Sequence, residues 1–158
     1  MSHREAATRE ALVLRYDAGV GLVEAALAGI TDSELDHTPA DGGWTARMVV
    51  HHLADSETNS YVRLRRLLAE PPGVVLEGYD EAEWARELHY DRPIAVSLDV
   101  FRSVRASSSE LLTTITDADL ERTGVHTESG AYTLADWLRI YAEHGEDHAR
   151  QIREARVF

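Results

Sequence analysis

The sequence predicts an all-α protein whose fold is a four-helix bundle, in a single domain that covers residues 1–158. Four long segments carry apolar residues at three- and four-residue steps, which is the spacing of a helix with one buried face. Alternation of apolar and polar residues, which is typical of a half-buried strand, is confined to a short piece at Val74–Leu76. A length of 158 residues with 44% hydrophobic residues is enough for one sizeable core.

The first helix is predicted from about Arg4 to Gly29. Within it Leu12, Tyr16 and Val20 recur at helical spacing, and a glycine commonly follows the end of a helix. A connector rich in Asp, Gly and Pro covers residues 31–43. The second helix is predicted from Trp44 or Thr45 to about Ala69, because Pro71 and Pro72 stop it.

The third helix is predicted over Ile94–Ile115, with Pro93 in its first turn. The fourth is predicted over Thr133–Ala155. Thr133 is a suitable N-cap, and Asp136 stands three residues later, as in a capping box.

Two connections are long for a helical bundle. Residues 70–93 join the second and third helices, and a short helix is predicted there over Asp80–Leu88. This length predicts a long crossover connection between helices 2 and 3 rather than simple up-down-up-down order. The second long connection covers residues 116–132 and contains a predicted turn at residues 128–130.

Charge and composition exclude several classes of function. The formal net charge is −12, and an acidic surface repels phosphate backbones, so nucleic acid is not expected as a partner. We expect no membrane span and no signal peptide, and hence a cytoplasmic protein. The chain has no cysteine, so any metal must be held by nitrogen and oxygen ligands.

A pair of histidines in the fourth predicted helix suggests a metal site. His144 and His148 lie four residues apart, which places both imidazoles on one helix face, one turn apart. Two such side chains can chelate one ion. The alternative is that both are solvated histidines on an acidic helix.

A third ligand has to come from another helix, and His51 and His52 are the candidates. Adjacent helical residues point about 100° apart, so both do not easily bind the same ion. His52 shares its stripe with Asp55, Asn59 and Arg63, as expected of a pocket wall. The alternative is a hydrogen-bonded core histidine.

Three imidazoles and a water would form a site with one open position, which is the usual arrangement of catalytic zinc. The ion would lower the pKa of its bound water toward roughly 7, or would bind an external thiol as thiolate. Since the chain has no thiol of its own, such a thiol would be a cosubstrate.

Two segments then identify a family. Residues 44–56 (WTARMVVHHLADS) and residues 141–152 (YAEHGEDHARQI) closely resemble the second and last helices of the DinB/YfiT-like metalloenzymes. Tyr79-Asp80-Glu81, Trp84 and His126 are similar to the YfiT branch of that family. The resemblance covers nearly the whole chain.

The resemblance implies a four-helix bundle that binds one divalent metal ion per chain, zinc or nickel, through His52, His144 and His148. It also implies a homodimer, with His51 as a non-ligand. Members of the superfamily include metal-dependent hydrolases and transferases that use a low-molecular-weight thiol such as bacillithiol or mycothiol.

Three functional hypotheses remain at this point. We favour the first, a thiol S-transferase that acts on a small electrophile, and keep the other two as alternatives. The second is a hydrolase that uses the same metal ion, and the third is a non-catalytic, stress-related metal-binding module.

Further residues receive expected roles. Asp55 is expected to orient a ligand histidine, while Arg63 and Asn59 are expected on the substrate side. Arg63 is suited to hold a carboxylate, unless it only pairs with a nearby acid. The segment with Tyr79 and Trp84 is either a lid over the metal or an anchor for its loop.

Overall fold

Four long helices form the main body of the protein, in a computed structural model that describes residues 7–158. The predicted four-helix bundle is confirmed. The long helices are α1 (Arg9–Leu27), α3 (Ala46–Ala69), α5 (Ala95–Leu112) and α6 (Leu134–Ala155). The short ones are α2 (Asp32–Leu35), α4 (Glu81–Glu87) and a 3₁₀ turn over Ala118–Glu121.

Side-chain caps set the starts of three long helices. The hydroxyls of Thr8, Thr45 and Thr133 each accept a hydrogen bond from a backbone N–H of the first turn. The predicted capping box between Thr133 and Asp136 is present. A capping residue is itself outside the helix, so the second and fourth helices begin one residue after Thr45 and Thr133.

The other predicted ends are corrected by a few residues. Arg4 lies outside the described residues, and the first helix ends at Leu27, before Gly29 takes a left-handed φ of 65°. The third helix covers Ala95–Leu112 rather than reaching Ile115, and Pro93 precedes it instead of lying in its first turn. The short helix predicted around Asp80 is α4, which Asp80 caps.

The expectation of an all-α fold is wrong in one respect, because a small sheet covers one part of the bundle. Strand β1 (Val74–Leu76) pairs in parallel with β2 (Thr123–His126), which pairs antiparallel with β3 (Gly130–Thr133). Strand β1 coincides with the short piece singled out at Val74–Leu76, whereas β2 and β3, of four residues each, are too short to show the alternation on which the prediction depends. The predicted turn at 128–130 is where β2 and β3 are connected.

The helices do not pack in the order of the chain. Helix α1 packs against α5 and α6, and α3 packs against the same two helices. Contacts between His51 and Ser97, and between Arg65 and Ser108, show that α3 and α5 run in the same direction. Residues 70–94 therefore run back along α3, from its end to near its start. The backbone of Arg92 lies beside His51, which is in the second turn of α3.

A polar layer separates two apolar clusters in the bundle. One cluster surrounds Trp137 and includes Tyr16, and the other includes Leu53 and Phe101. Between them lie buried polar side chains, notably Glu57 and Arg105. None of the helices among residues 7–158 is long and apolar enough to cross a membrane.

Candidate metal centre

Three histidines from two helices converge at this polar layer. His52 comes from α3, and His144 and His148 come from consecutive turns of α6. Each offers one ring nitrogen to a group whose members all lie within 4.8 Å of one another. His52 is buried, and the other two are half-buried. The structure therefore brings together the three residues that the sequence singled out.

The hydrogen bonds of His144 and His148 direct two lone pairs toward each other. His144 Nδ1 lies 2.8 Å from Oε1 of Glu57, and an ionised carboxylate can only accept, so that nitrogen carries the proton. His148 Nδ1 lies 2.7 Å from the side-chain oxygen of Gln151 and is likewise assigned as the donor. When both rings are neutral, the two Nε2 atoms face each other at 3.0 Å, both as acceptors.

Two lone pairs at this separation repel each other unless a cation lies between them. Neutral imidazole nitrogens are the ligands that zinc, nickel and copper prefer. Nδ1 of His52 is buried and has no hydrogen-bond partner among the described residues. These residues therefore fit a divalent ion of that class.

Burial keeps two of the three imidazoles neutral. It lowers the pKa of His52 to about 3, and repulsion from the other two imidazoles acts in the same direction. Burial and the charge of His144 lower the pKa of His148 to about 4, against the hydrogen bond with Gln151. Both are therefore neutral at neutral pH, with one ring nitrogen free of a proton, as metal ligation requires.

The carboxylate that contacts a histidine of the cluster is Glu57, rather than Asp55 as expected. Glu57 and Arg105 are each 1% exposed and form an ion pair of 2.7 Å. Burial opposes the ionisation of Glu57, but Arg105 and the hydrogen bond from His144 outweigh it and lower its pKa to about 2.

Sequence reasoning missed this pair, although one signal was present. Arg105 follows Phe101 by four residues and precedes Leu112 by seven, so a charged side chain interrupts the apolar stripe of α5. A buried charge of this kind requires a partner.

His51 is fully engaged elsewhere. Its Nε2 lies 2.9 Å from the backbone oxygen of Arg92, and its Nδ1 lies 2.7 Å from the Ser97 hydroxyl. Neither nitrogen is left for a metal ion. Through these two hydrogen bonds, His51 of α3 holds both the end of the long connection and the start of α5.

The other three expected site residues lie along α3 beyond His52. Asp55 accepts a 2.6 Å hydrogen bond from the hydroxyl of Tyr90, and Asn59 donates to the backbone oxygen of Asp55. Arg63 donates to the hydroxyl of Tyr141 at 3.1 Å and to the backbone oxygen of Glu77.

These residues line two neighbouring cavities rather than one. Asp55, Asn59 and Arg63 line a cavity of about 310 Å³. Arg63 also lines a second cavity, of about 250 Å³, which His144 borders. Arg63 therefore lies between two cavities. The cavity that His144 borders is called the triad cavity, and the one that Asp55 and Asn59 line is called the outer cavity.

The triad cavity has a buried floor and an acidic rim. Tyr132 and Tyr141 form part of the floor, while Glu81 and Glu128 are exposed at the rim. His126, on β2, also lines the triad cavity. Burial and the charge of Glu128 raise the pKa of Glu81, against the charge of His144.

The segment considered as a lid or an anchor lies over both cavities. Tyr79 lines the triad cavity and Trp84 lines the outer cavity. Their rings pack against each other with centroids 4.3 Å apart. The aromatic pair, together with Arg63, separates the two spaces.

Comparisons with known proteins show what this chain is similar to. The family model of the DinB superfamily matches residues 15–152. A protein of Oceanobacillus iheyensis named "Putative metal-dependent hydrolase" is 37% identical over 131 residues, which are 83% of this chain and 76% of the relative. A protein of the same name from Halalkalibacterium halodurans is 31% identical over 135 residues, which are 85% of this chain and 78% of the relative.

A solved structure matches the fold over almost its full length. YfiT from Bacillus subtilis, described as "a probable metal-dependent hydrolase with an unusual four-helix bundle topology", superimposes with a TM-score of 0.86 at 31% sequence identity. The match covers 98% of this chain and 91% of YfiT. The resemblance drawn from the two motif segments is thereby confirmed.

Proposed function

Since this chain belongs to the DinB superfamily, we propose that it is an enzyme that depends on one divalent metal ion, held by His52, His144 and His148. The observation that carries the proposal is the pair of opposed Nε2 atoms of His144 and His148, 3.0 Å apart beside a cavity. The proposed ion is zinc or nickel, since both accept imidazole ligands. A homodimer in the cytoplasm is part of the proposal.

The proposed reaction is hydrolysis of a small ester or amide. A divalent ion held by the triad would supply a Lewis acid toward water or toward a thiol. Glu81 lines the same cavity as His144, and its raised pKa suits a group that takes up a proton from water. The names of the relatives, metal-dependent hydrolases, support this reaction class.

A second candidate is transfer of a small thiol, of the bacillithiol or mycothiol type, to an electrophile. The chain has no cysteine, so the thiol would enter as a cosubstrate. Arg63 supports this candidate because it is a cation that lines the triad cavity. Its Nε is a donor with no partner among the described residues, and such a donor can hold a carboxylate on a thiol that carries one.

Arg63 serves both candidates as the proposed receiver of an anionic group on the substrate or thiol. Because it also borders the outer cavity, a longer substrate would pass it and reach Asn59 and Asp55. Those two residues are proposed as contacts for the distal part of the substrate.

The first experiment measures metal content. The purified, untagged protein is loaded with zinc or nickel, dialysed and analysed by elemental analysis beside His148→Ala. We expect about one equivalent in the parent and its loss in the variant. The control is His37→Ala, because His37 bonds to the backbone oxygen of Ala155 and lies outside the triad. A parent that retains no metal after loading would overturn the proposal.

The second experiment separates the two reactions. The loaded protein is assayed with 4-nitrophenyl acetate in ¹⁸O-labelled water, and with 1-chloro-2,4-dinitrobenzene plus cysteine as the thiol. Ester hydrolysis that incorporates solvent oxygen and stops on chelation supports the hydrolase. Product that forms only with thiol supports the transferase. Metal binding without turnover of a broad ester, amide and electrophile panel would favour a non-catalytic module.

A further inference from the structure

We infer that Glu57 and Arg105 are a positioning pair that holds His144 with its proton on Nδ1, so that Nε2 faces the metal site. This inference rests on the proposed metal site but concerns residues that do not touch the ion. A free imidazole can carry its proton on either nitrogen, so the tautomer of a ligand histidine has to be fixed by its partner.

One oxygen atom connects the pair to the histidine. Oε1 of Glu57 lies 2.8 Å from Nδ1 of His144 and 2.7 Å from Nη2 of Arg105. The guanidinium therefore fixes the position of the same oxygen that receives the imidazole proton. The other oxygen, Oε2, is buried without a partner among the described residues, so the contacts of this carboxylate are concentrated on Oε1.

Arg105 is itself held rigidly by two other helices. Its Nη1 donates to the backbone oxygen of Tyr16 at 2.7 Å, and its Nη2 donates to that of Tyr141 at 2.8 Å. The guanidinium also lies 3.9 Å from the centroid of the Tyr16 ring. The chain of contacts thus begins in α1 and α5, passes through Glu57 in α3 and ends at His144 in α6.

The packing of α1 makes room for this arrangement at Gly19. A Cβ added at Gly19 would lie 2.8 Å from Nη1 of Arg105, which is closer than carbon and nitrogen normally approach. The guanidinium fills space that any other residue at this position would occupy.

A buried ion pair contributes little net stability, since the cost of removing two charges from water offsets their attraction. Replacing both partners by apolar side chains is therefore expected to leave the fold nearly as stable. Removing only one partner leaves a buried charge without compensation, which strongly destabilises a fold. This difference allows a positioning role to be separated from a structural one.

The test compares Glu57→Met, Arg105→Met, the double variant of both, and Glu57→Gln. Zinc affinity is measured by competition with a chromophoric chelator, and unfolding is measured in urea. The tautomer of His144 in the metal-free protein is read from its ¹⁵N chemical shifts. Glu146→Gln is the matched control, because Glu146 pairs with Arg15 rather than with a histidine.

We expect the double variant to recover stability relative to the single variants but to bind zinc roughly 10–100-fold more weakly than the parent. In that variant His144 no longer shows a dominant Nδ1–H tautomer. Glu57→Gln keeps an acceptor oxygen, so most of the affinity and the tautomer are expected to be retained. The control is expected to match the parent in both.

A double variant that keeps the parent's zinc affinity and tautomer would overturn the inference and leave the pair with a structural role. Failure of the proposed function gives a different pattern. In that case the parent binds no zinc, although the ¹⁵N shifts of His144 still depend on Glu57.

Discussion

Gly19 of α1 and Gly145 of α6 lie in backbone contact where the two helices pack together. A Cβ built on Gly145 would lie 2.7 Å from Cα of Gly19, a separation at which one backbone has to move. Gly145 directly follows His144, so the contact fixes the position of α6 at the candidate metal centre. Two residues without side chains therefore set the distance between α1 and the helix that carries two of the three histidines.

Gly145→Ala is expected to destabilise the protein by about 1–3 kcal/mol, because the new methyl group meets backbone rather than a flexible side chain. Urea denaturation monitored by circular dichroism measures the change. Since α6 is displaced, zinc affinity is expected to fall as well.

Gly21→Ala is the matched control in α1. A Cβ at Gly21 meets nothing within 4 Å, so the substitution only raises helix propensity. We expect it to stabilise the protein by about 0.5–1 kcal/mol. Equal stability of Gly145→Ala and the parent would show that α1 and α6 can separate at no cost.

The metal-free protein is expected to lose stability as the pH falls below about 6.5. In the folded chain the pKa of His52 is about 3 and that of His148 is about 4, against 6.5 for an unperturbed histidine. Between these values the unfolded chain binds more protons, so acid favours unfolding. The contribution of these two histidines to the free energy of unfolding is fully present above pH 6.5. Below that pH it falls by up to about 1.4 kcal/mol per pH unit for each additional proton that the unfolded chain binds.

Urea titrations of the metal-free protein at a series of pH values measure this slope. His52→Gln is expected to show a shallower decline between pH 6.5 and 4, because one of the two depressed histidines is gone. An identical slope in the variant would mean that His52 protonates in the folded chain as readily as in the unfolded one.

Tyr90→Phe is expected to lower stability without affecting zinc binding. The hydroxyl of buried Tyr90 donates to Asp55 at 2.6 Å, and a hydrogen bond to a charged group contributes about 1.5–3 kcal/mol. That bond does not reach the three histidines. Thermal unfolding and chelator competition measure the two effects, and a tenfold loss of zinc affinity would restore Asp55 as a residue that orients the site.

Arg63→Met is expected to affect substrates that carry a negative charge. For a 4-nitrophenyl ester with a free carboxylate, KM is expected to rise about tenfold or more, since a charge-assisted hydrogen bond is lost. For uncharged 4-nitrophenyl acetate, KM is expected to stay near that of the parent. An equal rise for both esters would point to a collapse of the cavity, because Arg63 also holds Tyr141 and the backbone of Glu77.

Much of the bundle could be predicted because its helices are long enough for the apolar pattern to repeat and because Thr133 and Asp136 mark the start of the last one. The strands around Val125 and Ala131 could not, since each is four residues long and gains its stability from pairing. Asp55 is the carboxylate that the sequence favours because it lies one turn from His52, but Glu57 is the residue that faces α6.

The sequence by itself determined the four long helices, the absence of thiol ligands, and the three histidines of the candidate metal site, which the spacing of His144 and His148 and the family motifs indicate. Only the tertiary structure decided which carboxylate contacts His144, and it placed Asp55 and Asn59 beside a different cavity from that of His144. Helical periodicity gives the direction of a side chain about its own axis. The neighbour that this side chain meets depends on how helices distant in sequence cross, and backbone contact at Gly19 and Gly145 helps to set that crossing.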